Sequence, residues 1–310
     1  MASNILGKIS KERVISAVAL VVIALAVILP GGVILAVALY LVSLVGFLEL
    51  TKACGVREKI DPEGNAKRVN AKGINAKGIN ALEVTGIMVI TVYYLLLCVT
   101  NTDILQRYLP TDGIDADFGI VPVLLLALIL LMFVYVFTFP RFTANQVMAA
   151  YFSLIYAPVM LSFIFLTRQL THGIYLVWMA FISSWVSDTC AYLVGVMIGK
   201  HKLAPVLSPK KSIEGAVGGI VGAALIGALF GRYLDGALGL DGMAVVLAVV
   251  GGAGSVISQV GDLAASAIKR NHDIKDYGKL IPGHGGIMDR FDSVIFTAPI
   301  TYFLILLFMK

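Results

Sequence analysis

The sequence predicts an all-α polytopic membrane protein of about nine transmembrane helices, with the N-terminus cytoplasmic and the C-terminus outside. Three observations predict it. Apolar residues fill 59% of the 310 positions and charged residues only 14%, with a mean hydropathy of +0.91, whereas a soluble domain would be about 25% charged. Long uncharged runs recur along the whole chain, which implies one membrane domain and no separate soluble one. The basic residues fall almost entirely on one side of those runs.

Candidate spans lie at about 14–29, 33–50, 84–100, 119–139, 147–167, 174–199, 213–234, 243–268 and 290–309. Pro30, Gly31 and Gly32 break the first long run into a hairpin of two short helices. Lys8, Lys11 and Arg13 ahead of an apolar stretch resemble a signal peptide. A second apolar stretch follows at once without a small-residue cleavage pattern, so an uncleaved hairpin is expected. With the N-terminus inside, 20 of the 24 Lys and Arg residues fall in inside segments; Arg107, Arg168, Arg232 and Lys310 fall outside. That asymmetry supports both the span count and the orientation. It also accounts for the net charge of +5 through cytoplasmic loops facing anionic lipid, with no nucleic acid as partner.

The chain divides into N-terminal transmembrane helices (1–140) with a cytoplasmic connector at 51–83, and a C-terminal region (141–310) with polar loops at 199–215 and 266–292. The connector contains a five-residue repeat, NAKRV, NAKGI, NAKGI, NALEV, over 65–84. Its period matches no solenoid unit, and a flexible duplicated linker is expected. Cys54, Cys98 and Cys190 form no CxxC, which excludes a disulfide framework and a cysteine zinc site.

Ionisable residues inside apolar spans are functional candidates, because the bilayer penalises them. Asp188 shares a helix face with Ser184 and Tyr192. Asp262 centres a polar stripe of Ser255, Ser258, Ser266 and Lys269 on an otherwise apolar helix. Serines alone would suit helix–helix bonding; an unneutralised Asp among them favours a metal or substrate site. Gly219, Ala223, Gly227 and Gly231, four residues apart, let helix backbones approach closely and are expected to pack rather than bind phosphate.

Two loops carry the remaining chemistry. In GKHKLAPVLSPKKSIEG (199–215), Ser208 and Pro209 read as an N-cap and first helical residue. Lys210 and Lys211 would then crowd a helix N-terminus that is already positive, a conflict that a bound anion removes. In SAIKRNHDIKDYGKLIPGHGGIMDRFD (266–292), Lys269, Arg270, Lys275 and Lys279 combine with Asp276, Asp289 and Asp292 around Pro-Gly-His-Gly-Gly. Glycines let backbone N–H groups converge on an anion, and carboxylates suit a hard cation such as Mg²⁺. Phosphates, Mg²⁺ and a membrane together suggest phosphoryl or nucleotidyl transfer on a lipid.

These residues resemble the phosphatidate cytidylyltransferase (CDP-diacylglycerol synthase) family. Ser266, Lys269, Arg270, Lys275, Asp276, Gly278, Pro282, His284, Gly285, Gly286, Asp289, Arg290 and Asp292 fit its signature, and the likeness continues upstream through the 199–215 loop and SDTCAY. Members carry an acidic residue where this chain has Ala265. The resemblance implies transfer of the cytidylyl group of CTP to phosphatidate, in a cell membrane, at a site opening to the cytoplasm. It implies Mg²⁺ or another hard divalent cation on Asp262 and Asp289, leaves room for a second cation, and leaves a homodimer open. Lys269, Arg270 and Arg290 join the two aspartates as catalytic candidates. Candidate contacts to CTP and its phosphates are Asp188, Ser208, Lys210, Lys211, Ser212, Ser266, Lys275, Asp276, His284, Gly285 and Gly286, with His284 a hydrogen-bond donor rather than a base. The rival from another class is an ion-coupled transporter using Asp188 and Asp262. The motifs of CDP-alcohol phosphotransferases and P-loop kinases are absent.

Overall fold

The computed structural model describes residues 11–57, 78–101, 120–280 and 285–309, the backbone alone at 11–18 and 101. Among these, α1 (Lys11–Ile28), α2 (Gly32–Ala53), α3 (Ala81–Asn101) and α4 (Ile120–Phe137) form the N-terminal part. They are followed by α5 (Ala144–Gln169), α6 (Gly173–Ile198), α7 (Ile213–Leu238) and α8 (Met243–Asn271). A short α9 (Met288–Phe291) and α10 (Val294–Phe308) complete the chain. Seven of these helices, α2 to α8, are long and apolar enough to cross a membrane; Ala19–Ile28 and α10 are shorter apolar helices. Helix ends agree with the expected spans to within a few residues, because charged side chains, or the Pro30–Gly32 break in the first run, bound the apolar stretches.

The first hairpin forms as expected. Gly31 caps α2 at φ 67°, a left-handed turn that glycine adopts without strain. Arg168, from the end of α5, closes it: Nε donates to the Ile28 carbonyl at 3.0 Å and an Nη to that of Leu29 at 3.1 Å. Those carbonyls end α1 and have no helical partner of their own.

α7 packs along α8 and α6, and α10 packs on α8 and α5. The small-residue spacing of α7 acts as read. Gly219, Ala223, Gly227 and Gly231 are buried, and a Cβ at Gly227 or Gly231 would strike the Leu247 or Met243 carbonyl oxygen of α8.

Two features were not expected. α5 and α6 each contain a π turn, Ile155–Val159 and Ile182–Val186. Pro158 accompanies the first; no residue in ISSWV announces the second. The second surprise is a two-stranded antiparallel sheet of β1 (Lys202–Ala204) and β2 (Ser208–Ser212), so the fold is not purely helical. This corrects the reading of Ser208 as an N-cap with Lys210 and Lys211 in the first helical turn. The chain stays extended through 212, and α7 starts at Ile213, with the Ser212 hydroxyl accepting the Gly215 N–H at 3.2 Å. Glu214 then ties the hairpin to the helix, accepting the Lys200 N–H at 3.1 Å and contacting His201 Nδ1 at 2.6 Å.

The connector leaves and re-enters the bundle at one point. Asn80 Nδ2 donates to the Val56 carbonyl at 2.9 Å, and Arg57 pairs with fully buried Glu83 at 2.6 Å. Asn80 caps α3 through the Glu83 N–H at 2.9 Å, and Glu83 returns to the Asn80 N–H at 3.1 Å. The last repeat unit, NALEV, is therefore a helix start; the three units before it lie largely outside the described residues. Deleting Asn65–Ile79 keeps this junction whole. The thermal midpoint in detergent is expected to stay within about 2 °C of the parent, because shortening a closed loop changes stability little. A larger fall would show that the repeat supports the fold.

Candidate active site

Three chain segments meet at one end of the bundle: β2 with the start of α7, the end of α8, and the turn from Gly285 into α9. β2 is a strand, so its side chains alternate. Lys210 is exposed, while Lys211 turns inward and ion-pairs with Asp262 of α8. Asp262 engages one side of the Lys211 ammonium, which carries three donors. The remaining donors are available to an incoming anion.

The second contact mirrors the first. Lys269, two helical turns beyond Asp262, donates to Asp289 Oδ1 at 3.0 Å. Asp289 Oδ2 accepts the backbone N–H groups of Tyr277 and Gly286, both at 2.9 Å. One carboxylate thus ties the loop after α8 to the start of α9 and leaves its other oxygen facing a cation. Gly285 makes this possible: it sits at φ 82°, and a Cβ there would lie 2.8 Å from Asp289 Oδ2.

Two residues outside the sequence candidates shape the loop. Tyr277 donates its hydroxyl to the Ala265 carbonyl at 3.0 Å, and Lys269 sits 5.3 Å from its ring centre. Burial pushes the Tyr277 phenol above its ordinary range, so it remains a donor. Glu49 reaches in from α2, 238 positions away in sequence, accepting the Ile287 N–H at 3.2 Å and the Met288 N–H at 2.9 Å. It thereby caps the otherwise free N–H groups at the start of α9. A Cβ at Gly278 or Gly286 would collide with the Glu49 carboxylate, so both glycines are needed for its approach. The signal for Glu49 was present in the sequence: an acid near the end of an apolar span.

Asp188 and Asp292 lie within the electrostatic reach of Asp262. Asp292, one of the loop aspartates suited to a hard cation, thus joins the neighbourhood of Asp262. Ser266 is half-buried on α8, Ser208 opens β2, and Ser212 is spent as the cap of α7. Arg270, Lys275, Asp276 and Arg290 are exposed and not drawn into either lysine–aspartate contact. His284 lies outside the described residues. Ala265 is fully buried, so this position faces the core here.

A hard divalent cation fits this donor set. Each lysine ammonium occupies the kind of position on an aspartate that a metal ion would take. Among the described residues, no three of these groups converge on one point. That suits an ion that takes one or two carboxylates and completes its shell with phosphate oxygens and water.

Comparison with known proteins agrees with the geometry. The model of the cytidylyltransferase family matches residues 11–308. The chain is 35% identical over 202 residues to a phosphatidate cytidylyltransferase of Bacillus subtilis (strain 168), covering 65% of this chain and 72% of that one. It is 36% identical over 158 residues to that of Staphylococcus saprophyticus, and 38% over 161 residues to that of Staphylococcus aureus (strain COL). Each of these two alignments spans 51% of this chain and 59% of the relative's length. Since the family match runs from the first hairpin through the glycine turn to α10, the chain belongs to the cytidylyltransferase family.

Proposed function

We propose that the protein transfers the cytidylyl group of CTP to phosphatidate, giving CDP-diacylglycerol and pyrophosphate. The observation that carries this reading is the pair of lysine–carboxylate contacts, Lys211 with Asp262 and Lys269 with Asp289, at the ends of neighbouring helices. Two basic groups beside two carboxylates suit a polyphosphate that arrives with its cation. The relatives are named phosphatidate cytidylyltransferases, which supports the same substrates. A transporter using Asp188 and Asp262 would leave the loop closed on Asp289 without a purpose.

The reading includes nine crossings, with α1 and α10 as the short ones, the N-terminus cytoplasmic and the C-terminus outside. CTP is a cytoplasmic solute, so the site opens inward. Residues 141–310 hold the catalytic groups, and 1–140 anchor them.

In the reaction, a phosphatidate oxygen attacks the α-phosphorus of CTP. The bond to the β-phosphate bridging oxygen breaks and pyrophosphate leaves. The nucleophile is already an anion, so no general base is needed. Mg²⁺, held by Asp262 and Asp289, would neutralise charge on the phosphates. Lys211 and Lys269 stabilise the charge that develops on the leaving group once their carboxylates are shared with the cation. Arg270, Arg290 and Lys275 sit on the loop as further phosphate donors.

The direct test follows pyrophosphate release by the detergent-purified protein with phosphatidate and each of the four nucleoside triphosphates. Turnover confined to CTP is expected; none with any nucleotide would overturn the activity. The strand geometry adds a sharper expectation. Lys211→Gln should lower kcat/KM for CTP by about ten- to a hundredfold, the range of one charge-assisted contact. Lys210→Gln, whose side chain points away, should stay within about threefold. Equal losses in both would mean that the lysines act through general surface charge.

A further inference from the structure

We propose that the Tyr156 hydroxyl donates a hydrogen bond to a phosphate oxygen of substrate bound beside Asp262 and Asp292, which makes Tyr156 a substrate-contacting residue. The proposal rests on the cytidylyltransferase reading and adds a residue that neither the signature nor the polar stripe contains.

Four tyrosines of the described chain are buried: Tyr93, Tyr94, Tyr156 and Tyr277. Tyr93 shares a hydrogen bond with Ser162 at 2.7 Å, Tyr94 with Ser43 at 2.8 Å, and Tyr277 donates to the Ala265 carbonyl at 3.0 Å. Tyr156 is 4% exposed, yet its hydroxyl has no partner among the described residues. Buried phenols nearly always find one, because an unpaired hydroxyl carries its full desolvation penalty. Among the described residues that penalty falls on one tyrosine only, the one whose hydroxyl lies in the field of both Asp292 and Asp262.

The ring itself is held firmly. It meets Phe296 of α10 edge-on, with centroids 5.5 Å apart, and Phe152 at 5.2 Å. It also sits in the π turn Ile155–Val159. Such a turn inserts one residue into the helix and re-aims the side chain, and π turns recur at functional sites. Phe296 packs in turn on Gly261, the chain neighbour of Asp262, so the unpartnered hydroxyl lies close to the carboxylates without bonding either and is free to meet a group that enters beside them. Oxygen atoms reach that place as phosphate drawn in with a divalent cation. A neutral donor suits this better than another lysine, since Lys211 already pairs with Asp262.

Tyr156→Phe in the full chain removes the hydroxyl and keeps the ring. Three readouts in detergent test the idea: the thermal midpoint of the free protein, the added stability on binding Mg²⁺ with inorganic pyrophosphate, and kinetics with CTP and phosphatidate. The free protein should be as stable as wild type or more so, because an unpartnered buried hydroxyl is gone. Stabilisation by Mg²⁺ and pyrophosphate should shrink, and kcat/KM should fall about ten- to a hundredfold. A rise in KM for CTP alone assigns the contact to the nucleotide; one for phosphatidate alone assigns it to the lipid. Wild-type kinetics with wild-type stabilisation would overturn the proposal. So would lost activity with a lowered midpoint of the free protein, which is the mark of a structural role. If wild type itself turns over no CTP with phosphatidate, the activity reading falls, and the pyrophosphate arm still decides Tyr156.

Discussion

Asp262→Asn is expected to lower turnover by about 10²- to 10³-fold or more, the scale set by losing preorganised charge stabilisation at a phosphoryl centre. The side chain keeps its shape but can no longer hold a cation or balance Lys211. Asp289→Asn should do the same to activity and something more to the fold. Asn can still accept the Tyr277 and Gly286 N–H groups through its one carbonyl oxygen, but it then turns an amide N–H toward Lys269. A lowered thermal midpoint is therefore expected for Asp289→Asn and a near-parental one for Asp262→Asn. Scanning calorimetry beside pyrophosphate release separates the two. Near-normal turnover in either variant at saturating Mg²⁺ would remove that residue from the site.

Glu49→Gln should be the most damaging change in the N-terminal half. The carboxylate accepts two consecutive backbone N–H groups at the start of α9. Gln offers one acceptor and points a donor at the other N–H, leaving a buried group unpaired at about 1–3 kcal/mol. Asp289 lies one residue beyond those N–H groups, so its carboxylate shifts with them. A misplacement of about an ångström can reduce rate by about a hundredfold while binding changes less. The expected signature is a fall in kcat of about ten- to a hundredfold, with KM for CTP within about threefold. Equal loss in Glu83→Gln, which belongs to the connector junction and touches no part of the loop, would mean that Glu49 acts only through general stability of the bundle.

The helical spans and their order were legible in the sequence because the bilayer writes them in the plainest terms: charge is excluded from long runs, and helix ends fall where charge resumes. The chemistry of the C-terminal loop was legible because glycines, lysines and aspartates were already neighbours in the chain. Legibility failed where two local signals competed. Ser208–Pro209 is a good helix start by local preference, yet Ser212, four residues later, serves, because backbone pairing of β1 with β2 and the Glu214 contacts hold 208–212 extended. Tertiary pairing of this kind overrides local propensity. Glu49 and Tyr156 escaped for another reason. Their partners lie on distant segments, and nothing in FLEL or SLIYAP records which face of the helix meets them. The rule that flagged Asp188 and Asp262 applies equally to Glu49; its place beside the span end made it look like ordinary interfacial charge.

Bilayers differ in thickness, and helices answer by tilting. In this protein tilt is not equally available everywhere. α4 contains no glycine, and nothing in its sequence brings backbone against backbone. α7 and α8 are the opposite case: Gly227 and Gly231 lie against the carbonyls of Leu247 and Met243, and Gly251 against that of Ala223. Sliding or rotating one past the other would drive oxygen into Cα. Accommodation to a thicker or thinner membrane therefore falls on the N-terminal helices, and α8, which bears Asp262, travels as one stiff body with α7, which follows directly on the strand of Lys211. The reacting groups are carried like instruments on a gimbal, kept in register while the surrounding bundle follows the lipid.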